Sequence, residues 1–337
     1  PWASRPFVTT GEPNVDINPT GVRNVLAAYV EHTYKPLPAL ALEGGIRVQA
    51  DLASAQSTYA FRAAASYELP TATVLKVSTG LATQFQQNPI LLDPVYGNPA
   101  LAPERAAQLV VGLEQPLPIE ALVRLEAFGK WMDYLTVNAD TAAGAAALRA
   151  EGQPVFQSVG KGYARGVDLL FLGRAARVAY GLSAGLVWSD RENPLASGAQ
   201  VYPSPWDQRF TASAHLSYTP NADWLFSVRG SFHTGRPVTP VIGWVRDEEN
   251  QRYLPIFGAT NSARYPNYYE FSLRGENRFL WGPLSLAWYV EVLNVTNATN
   301  VYATLYDTGN YAEGVEPTAG AFNHLPIRPF LGIRGEY

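Results

Sequence analysis

The side chains able to do chemistry are scattered along this 337-residue chain rather than gathered into a motif. There is no cysteine, which excludes disulfides and thiolate metal sites. The four histidines, His32, His215, His233 and His324, make no zinc spacing of the H-E-x-x-H kind. No Ser–His–Asp or paired-carboxylate pattern emerges from the spacing, so no catalytic residue, bound metal or cofactor is expected. Asp247-Glu248-Glu249 bring three carboxylates together, short of the roughly 6–8 oxygen ligands a calcium ion takes. A solvated loop tip is the expected role. Gly160, Gly162 and Gly166 lack the G-x-G-x-x-G spacing of a phosphate loop, and no strand–helix pattern surrounds them. They read as glycines on a lumen-facing strand. Asn294-Val295-Thr296 and Asn297-Ala298-Thr299 match glycosylation acceptors, but read as strand-end and turn residues.

Binding chemistry remains. Arg229, Arg274, Glu276 and Arg278 fall on the polar side of alternating segments. There they would hydrogen-bond to a polar partner or water, or guide an anionic ligand. Tyr96, Trp244, Tyr253, Tyr306 and Tyr311 fall in long connections and could stack on sugar or aromatic groups. Recognition concentrates on loops held by a rigid scaffold. The candidate small-molecule site is therefore Tyr96, Trp244, Tyr253, Tyr306, Tyr311, Arg229, Arg274 and Arg278.

The elements that must position these residues follow from a period of two. Leu284, Leu286, Trp288, Val290 and Val292 alternate with Ser285, Ala287, Tyr289 and Glu291. Trp224, Phe226, Val228 and Phe232 alternate with Ser227, Arg229, Ser231 and His233, and Tyr269, Phe271, Leu273 and Phe279 with Glu270, Ser272, Arg274, Glu276 and Arg278. Successive strand side chains point to opposite faces, so each segment has an apolar and a polar wall. The polar walls repeatedly hold ionisable groups, which a dry sandwich core would not tolerate.

About thirteen such segments can be delimited: 22–36, 40–52, 57–69, 72–86, 105–116, 119–138, 155–173, 177–191, 207–219, 222–237, 265–279, 284–302 and 324–337. Short turns such as Leu69-Pro70-Thr71, Gln115-Pro116-Leu117-Pro118, Pro220-Asn221-Ala222-Asp223 and Trp281-Gly282-Pro283 connect them at one end. Long connections, 87–104, 139–154, 192–206, 238–264 and 303–323, fall mostly at the other. Short periplasmic turns and long extracellular loops mark an outer-membrane barrel.

Composition agrees. Hydrophobic residues make up 47% of the chain and charged ones only 16%, below the roughly 25% usual in soluble proteins. Mean hydropathy is nevertheless near neutral at -0.09, and no apolar run approaches the roughly 18 residues of a membrane helix. The 19 Tyr, 14 Phe and 8 Trp often sit near strand ends, as at Trp131, Tyr134, Trp188, Tyr218, Trp224 and Phe279, where they suit interfacial girdles. A net charge of -4 argues against a nucleic-acid binder. The expected class is all-β, a transmembrane antiparallel up-and-down β-barrel in the bacterial outer membrane, in contact with its lipid. An odd number of strands cannot close such a barrel, so residues 1–337 read as its C-terminal part. The start Pro-Trp-Ala-Ser-Arg-Pro-Phe is not a signal peptide, and residues 1–21 read as an extracellular loop.

Several segments resemble TonB-dependent receptor barrels. Asn98-Pro99-Ala100-Leu101-Ala102-Pro103-Glu104-Arg105, followed by Leu113-Glu114, is similar to that family's NPxLxPE strand entry. Gly162-Tyr163-Ala164-Arg165-Gly166-Val167-Asp168 resembles its GxxxGvE strand, with Asp for Glu. Asp207-Gln208-Arg209, Thr234-Gly235-Arg236-Pro237 and Val292-Leu293-Asn294-Val295-Thr296-Asn297 resemble later signatures. Pro329-Phe330-Leu331-Gly332-Ile333-Arg334-Gly335-Glu336-Tyr337 resembles the closing strand. The matches run in the family's order. The resemblance implies about 13–14 strands of a 22-stranded barrel, with a plug domain and a TonB-contacting motif N-terminal to residue 1. It also implies TonB-energised uptake of a metal-siderophore, cobalamin or oligosaccharide. A passive porin-like channel and a soluble all-β carbohydrate-binding protein share parts of the pattern; the ordered motifs favour the receptor.

Overall fold

The computed structural model describes residues 24–336 apart from 89, 90, 94–96, 140 and 199. The N-terminal stretch 1–21, Tyr96 and Tyr337 lie outside the described residues. Thirteen long strands form an antiparallel meander in chain order. They are β1 (Val25–Leu37), β2 (Leu40–Asp51), β3 (Gln56–Glu68), β4 (Val74–Gln84), β5 (Glu104–Leu117), β6 (Ala121–Asn138), β7 (Phe156–Ala175) and β8 (Val178–Glu192). After a short β9 (Val201–Pro203), which pairs only with β8, come β10 (Phe210–Tyr218) and β11 (Trp224–His233). The meander ends with β16 (Tyr268–Trp281), β17 (Leu284–Leu293) and β20 (Arg328–Glu336). The all-β, up-and-down class expected from the alternation is the one observed.

The long connections carry structure that alternation did not reveal. Between β11 and β16 lie β12 (Pro237–Val238), β13 (Val241–Asp247), β14 (Arg252–Phe257) and β15 (Ala263–Arg264). Before β20 comes a hairpin of β18 (Val301–Asp307) and β19 (Thr318–Asn323). A helix, α1 (Ala142–Ala150), sits between β6 and β7, its first turn closed by Gly144 N donating to Thr141 Oγ1 at 3.1 Å.

One predicted strand was too long. The segment 284–302 divides because Asn294 takes φ 49° and ends β17. Its buried amide donates to the carbonyls of Ala298 (3.0 Å) and Leu325 (3.2 Å), while its Oδ1 accepts from Ala298 N at 2.9 Å. Asn tolerates left-handed backbone because its short amide can bond locally. Asn300, also buried, then clasps the backbone of Tyr269 from both sides: Nδ2 donates to its carbonyl (2.9 Å) and Oδ1 accepts its N–H (3.1 Å). The hydrogen bonding of β16 thus continues through side chains where its neighbour has left.

The register separates two faces. Across β5, Leu109, Val111 and Leu113 point outward, with Leu109 43% exposed. Glu114 of the same strand faces the opposite way, accepting from Lys76 and Arg124 at 2.9 Å each. On that inner face, Gly45 and Gly80 sit beside Arg62 in adjacent strands, and Arg62 reaches over Gly45 to pair with Glu31. A Cβ on Gly80 would come within 2.7 Å of the Phe61 carbonyl. Exposed apolar side chains run the length of the outer wall, and lipid is the solvent that satisfies them.

Replacing Leu109 with Arg is expected to cost about 2–4 kcal/mol, the price of a cation on the lipid face. Gln108→Arg, one residue away on the inner face, should change stability by less than about 0.5 kcal/mol. Urea titration of the full-length barrel refolded in lipid vesicles measures both.

Candidate ligand-binding site at the barrel mouth

Four of the five aromatic residues singled out in the long connections come together. Trp244 of β13 meets Tyr306 of β18 edge-on at 6.1 Å, and Tyr253 of β14 meets Tyr311 at 6.0 Å. Tyr253 N donates to Thr308 O at 3.0 Å, and Tyr311 OH to Glu248 Oε2 at 2.8 Å. The Arg246 guanidinium lies 5.3 Å from the Tyr311 ring centre. The two hairpins are therefore joined face to face, and the rings are spent largely on one another. The expected acidic loop tip is the turn of the first hairpin. There Asp247 is buried, accepting from Asn250 Nδ2 (2.9 Å) and Arg252 Nε (3.2 Å).

The arginines of the inner wall divide. Glu276 is buried and accepts from Arg274 Nη2 (2.6 Å) and Arg278 Nε (2.8 Å), with Arg334 Nη2 at 3.5 Å. Arg274 also lies 3.4 Å from Glu291 and 3.7 Å from the Tyr289 ring centre. Arg274 and Arg278 are thus fastened to an electrostatic node that spans three strands of the wall, β16, β17 and β20. Arg229 is exposed on β11, paired in register with Ser272 and His215, and makes no ion pair among the described residues. It remains available to a charged group in the lumen.

A second cluster escaped the loop-aromatic reasoning. Asp207, in the connection before β10, is fully buried and accepts Ser189 N (2.7 Å), Arg209 Nε (2.6 Å) and Arg264 Nη2. Burial alone would raise its carboxyl pKa. The bonds from both arginines and the Ser189 N–H outweigh that and hold it below the usual range. Arg264 also donates to the carbonyls of Asp207 (2.6 Å) and Gly235 (3.1 Å). Beside this latch, Arg236 lies between Trp206 and Tyr302, at 5.5 and 5.4 Å from their ring centres, and donates to Tyr302 O at 2.8 Å. The chain of rings continues through His324 (5.1 Å from Tyr302) to Tyr268 (5.2 Å) and His233 (4.4 Å). Trp206 itself is 65% exposed. The sequence signals were Asp207-Gln208-Arg209 and Thr234-Gly235-Arg236-Pro237, visible as signatures but silent about which aromatics would join them. A cation flanked by rings, with an exposed indole beside it, suits a flat anionic or aromatic ligand.

The remaining signatures are structural. Asn98 donates to Phe156 O at 2.9 Å, Ser158 Oγ accepts Ala102 N at 2.9 Å, and Glu104 Oε1 accepts Thr136 N at 3.1 Å. These bonds pin the long connection before β5 to the ends of β6 and β7. Gly162 and Gly166 leave room for Met132 and Phe128, whose side chains a Cβ would meet at 2.9 and 2.7 Å.

A two-sided meander with a polar inner wall and structured loops at one rim is the wall of a membrane-spanning β-barrel. Residues 3–301 match the family model for the TonB dependent receptor-like β-barrel, and the chain belongs to that family. Among solved structures, the copper transporter OprC is similar, at 14% identity and TM-score 0.63, with 93% of this chain and 48% of that one covered. The ferric-catecholate import receptor Fiu from E. coli K12 gives 13%, 0.63, 93% and 44% in the same order. The outer membrane transporter YddB from Escherichia coli gives 12%, 0.64, 93% and 45%. At these identities the likeness shows the fold, and the chain spans less than half the length of each of these proteins. No curated protein sequence matches. The family is one of outer-membrane receptors and transporters, not enzymes.

Removing the acceptor at the centre of the wall node tests its role. Glu276→Ala should destabilise the barrel by about 1–3 kcal/mol, because three guanidiniums lose a common partner. Arg278→Ala, which removes one half-exposed cation, should cost less than about 1 kcal/mol. Equilibrium unfolding in vesicles reads both.

The Asp247 carboxyl is held below its ordinary value of 3.8, first by the Asn250 amide and also by Arg252. A depressed carboxylate pKa stabilises the folded hairpin fully above the ordinary value, and this is lost as pH falls through the native one. Amide protection across Val241–Phe257, corrected for intrinsic exchange, should therefore fall as pH is lowered through and below the ordinary carboxylate range. In Asp247→Ala that pH dependence should be largely absent.

Proposed function

We propose that this chain is the barrel wall of a TonB-energised receptor that takes up a scarce metal chelate across the outer membrane. The reading rests on the family match together with one observation: Arg236 held between Trp206 and Tyr302 at the mouth, beside an exposed indole face. A ferric catecholate presents flat rings and negative charge, the chemistry those groups attract. Relatives in fold include proteins described as copper, ferric-catecholate and ferripyoverdine transporters or receptors, which supports a metal chelate over an oligosaccharide. Arg229 continues the positive surface into the lumen. The joined hairpins, with Trp244, Tyr253, Tyr306 and Tyr311, form the outer collar around the captured ligand. In the longer protein, a plug domain in the lumen and TonB on the periplasmic side complete the machinery.

The test is uptake of a radiolabelled ferric catecholate by cells producing the full-length protein. Uptake is expected to stop when an uncoupler removes the proton-motive force, and Trp206→Ala is expected to weaken binding roughly tenfold, the value of one lost cation–π and stacking contact. Uptake that continues unchanged in uncoupled cells would leave a passive channel instead.

A further inference from the structure

Uptake does not account for one feature of the outer wall. On β10, β11, β16 and β17, the side chains of Leu216, Phe226, Val228, Leu273, Val290 and Val292 surround a recess of about 380 Å³. Its floor is Gly275, which pairs in register with Phe226 on one side and Val290 on the other. A Cβ there would meet Phe226 ring carbons at 3.6 Å, an ordinary contact distance, so a larger side chain at this position has room to enter the recess. Apolar side chains bordering a gap on a lipid-facing wall leave a cavity that only another apolar group can fill favourably.

The surroundings change character toward the short-turn end. One register step beyond Gly275, the outward row reads Trp224, Asn277 and Trp288. Trp224 stacks on Phe226 at 5.5 Å and meets Trp288 edge-on at 5.8 Å. Asn277 puts an amide between two indoles on a face that is otherwise apolar. On the β10 side, Tyr218, which pairs in register with Phe226 and borders the recess itself, adjoins Thr219, whose N–H donates to the Arg177 carbonyl at 2.9 Å. The Arg177 side chain is exposed and makes no ion pair among the described residues. An apolar recess with an amide and indoles at its short-turn edge and an exposed cation at the turn beside it offers partners for an acyl chain, its ester linkage and a phosphate.

We propose that this face holds a resident phospholipid of the periplasmic leaflet. One acyl chain occupies the recess over Gly275, the ester region lies against Trp224, Asn277 and Trp288, and the headgroup phosphate meets Arg177. The short-turn end of such barrels faces the periplasm, which places the site in the inner leaflet. Electrostatic attraction to Arg177 favours an anionic headgroup. Unlike lipid over the smooth parts of the wall, this molecule is held at both ends and exchanges slowly.

The experiment uses the full-length protein, extracted in mild detergent and analysed by native mass spectrometry with phosphatidylglycerol and phosphatidylethanolamine as added probes. The wild type is expected to retain one phospholipid, with phosphatidylglycerol preferred. Gly275→Leu fills the recess from its floor, and Val290→Phe fills it from the side. Each should lower retained phospholipid roughly tenfold, the effect of excluding about two methylene groups from burial. Arg177→Ala should abolish the headgroup preference. Heat-modifiable migration on gels confirms that each variant is folded, and Val290→Phe decides the matter if Gly275→Leu does not fold. Phospholipid retention unchanged in the folded recess variants would overturn the proposal. So would a wild type that retains lipopolysaccharide, or no lipid at all.

Discussion

Hydrogen bonding of the backbone inside hydrocarbon is the constraint on which the rest of this chain depends. Lipid offers no partner to a peptide N–H or C=O, so each strand must satisfy its neighbour along its whole membrane-crossing length. The thirteen-strand meander does this from β1 to β20 with each strand pairing the next long one in sequence. Once the ladder is set, the period of two divides every strand between lipid and lumen. That division explains why the chain has few charges for its size and why Glu114, Arg124, Arg274, Glu276 and Glu291 share the inner face, while Arg165, in the row of Tyr163 and Val167, is an outward exception.

The inner face must then be stabilised without a dry core. Charges there remain partly hydrated and are matched across strands: Glu114 between Lys76 and Arg124, and Glu276 among Arg274, Arg278 and Arg334. Glycines beside long side chains let these pairs form, as at Gly45 and Gly80 around Arg62. At the long-loop rim the same logic is denser. Asp207 gathers Arg209 and Arg264 and ties the connections before β10 and β16 together. That tie carries Arg236 to its place between Trp206 and Tyr302, so the recognition surface depends on a buried carboxylate that never touches solvent.

Much of the wall was legible in the sequence because alternation is a local signal. The thirteen segments delimited from period and turn residues correspond to the thirteen meander strands, most within about three residues at each end. The exception, 284–302, failed because Asn294 ends β17 through its own amide bonds, and an Asn-rich stretch between apolar residues reads as strand continuation. The loops were less legible. The pairings of β13 with β14 and of β18 with β19 depend on contacts between connections far apart in sequence, as between Tyr253 and Thr308. Trp244, Tyr253, Tyr306 and Tyr311 were identifiable as loop aromatics, but not that they pack on one another. Arg274 and Arg278 were correctly placed on the inner face, while the node that fastens them needs Arg334 from β20, which period alone does not align. Trp206, Arg236 and Tyr302 were missed as a group because three separate connections supply them.

The central claim is that the chain crosses the outer membrane with its long connections outside and its short turns in the periplasm. The absence of native cysteine in these 337 residues makes it directly testable by single-cysteine labelling of the full-length protein in intact cells, with any cysteine elsewhere replaced. A membrane-impermeant maleimide should label Val245→Cys, in the β13–β14 hairpin, at once. Asn221→Cys, in the turn between β10 and β11, should react only after the outer membrane is permeabilised. Equal labelling of both sites in intact cells, or labelling of the turn alone, would contradict the account.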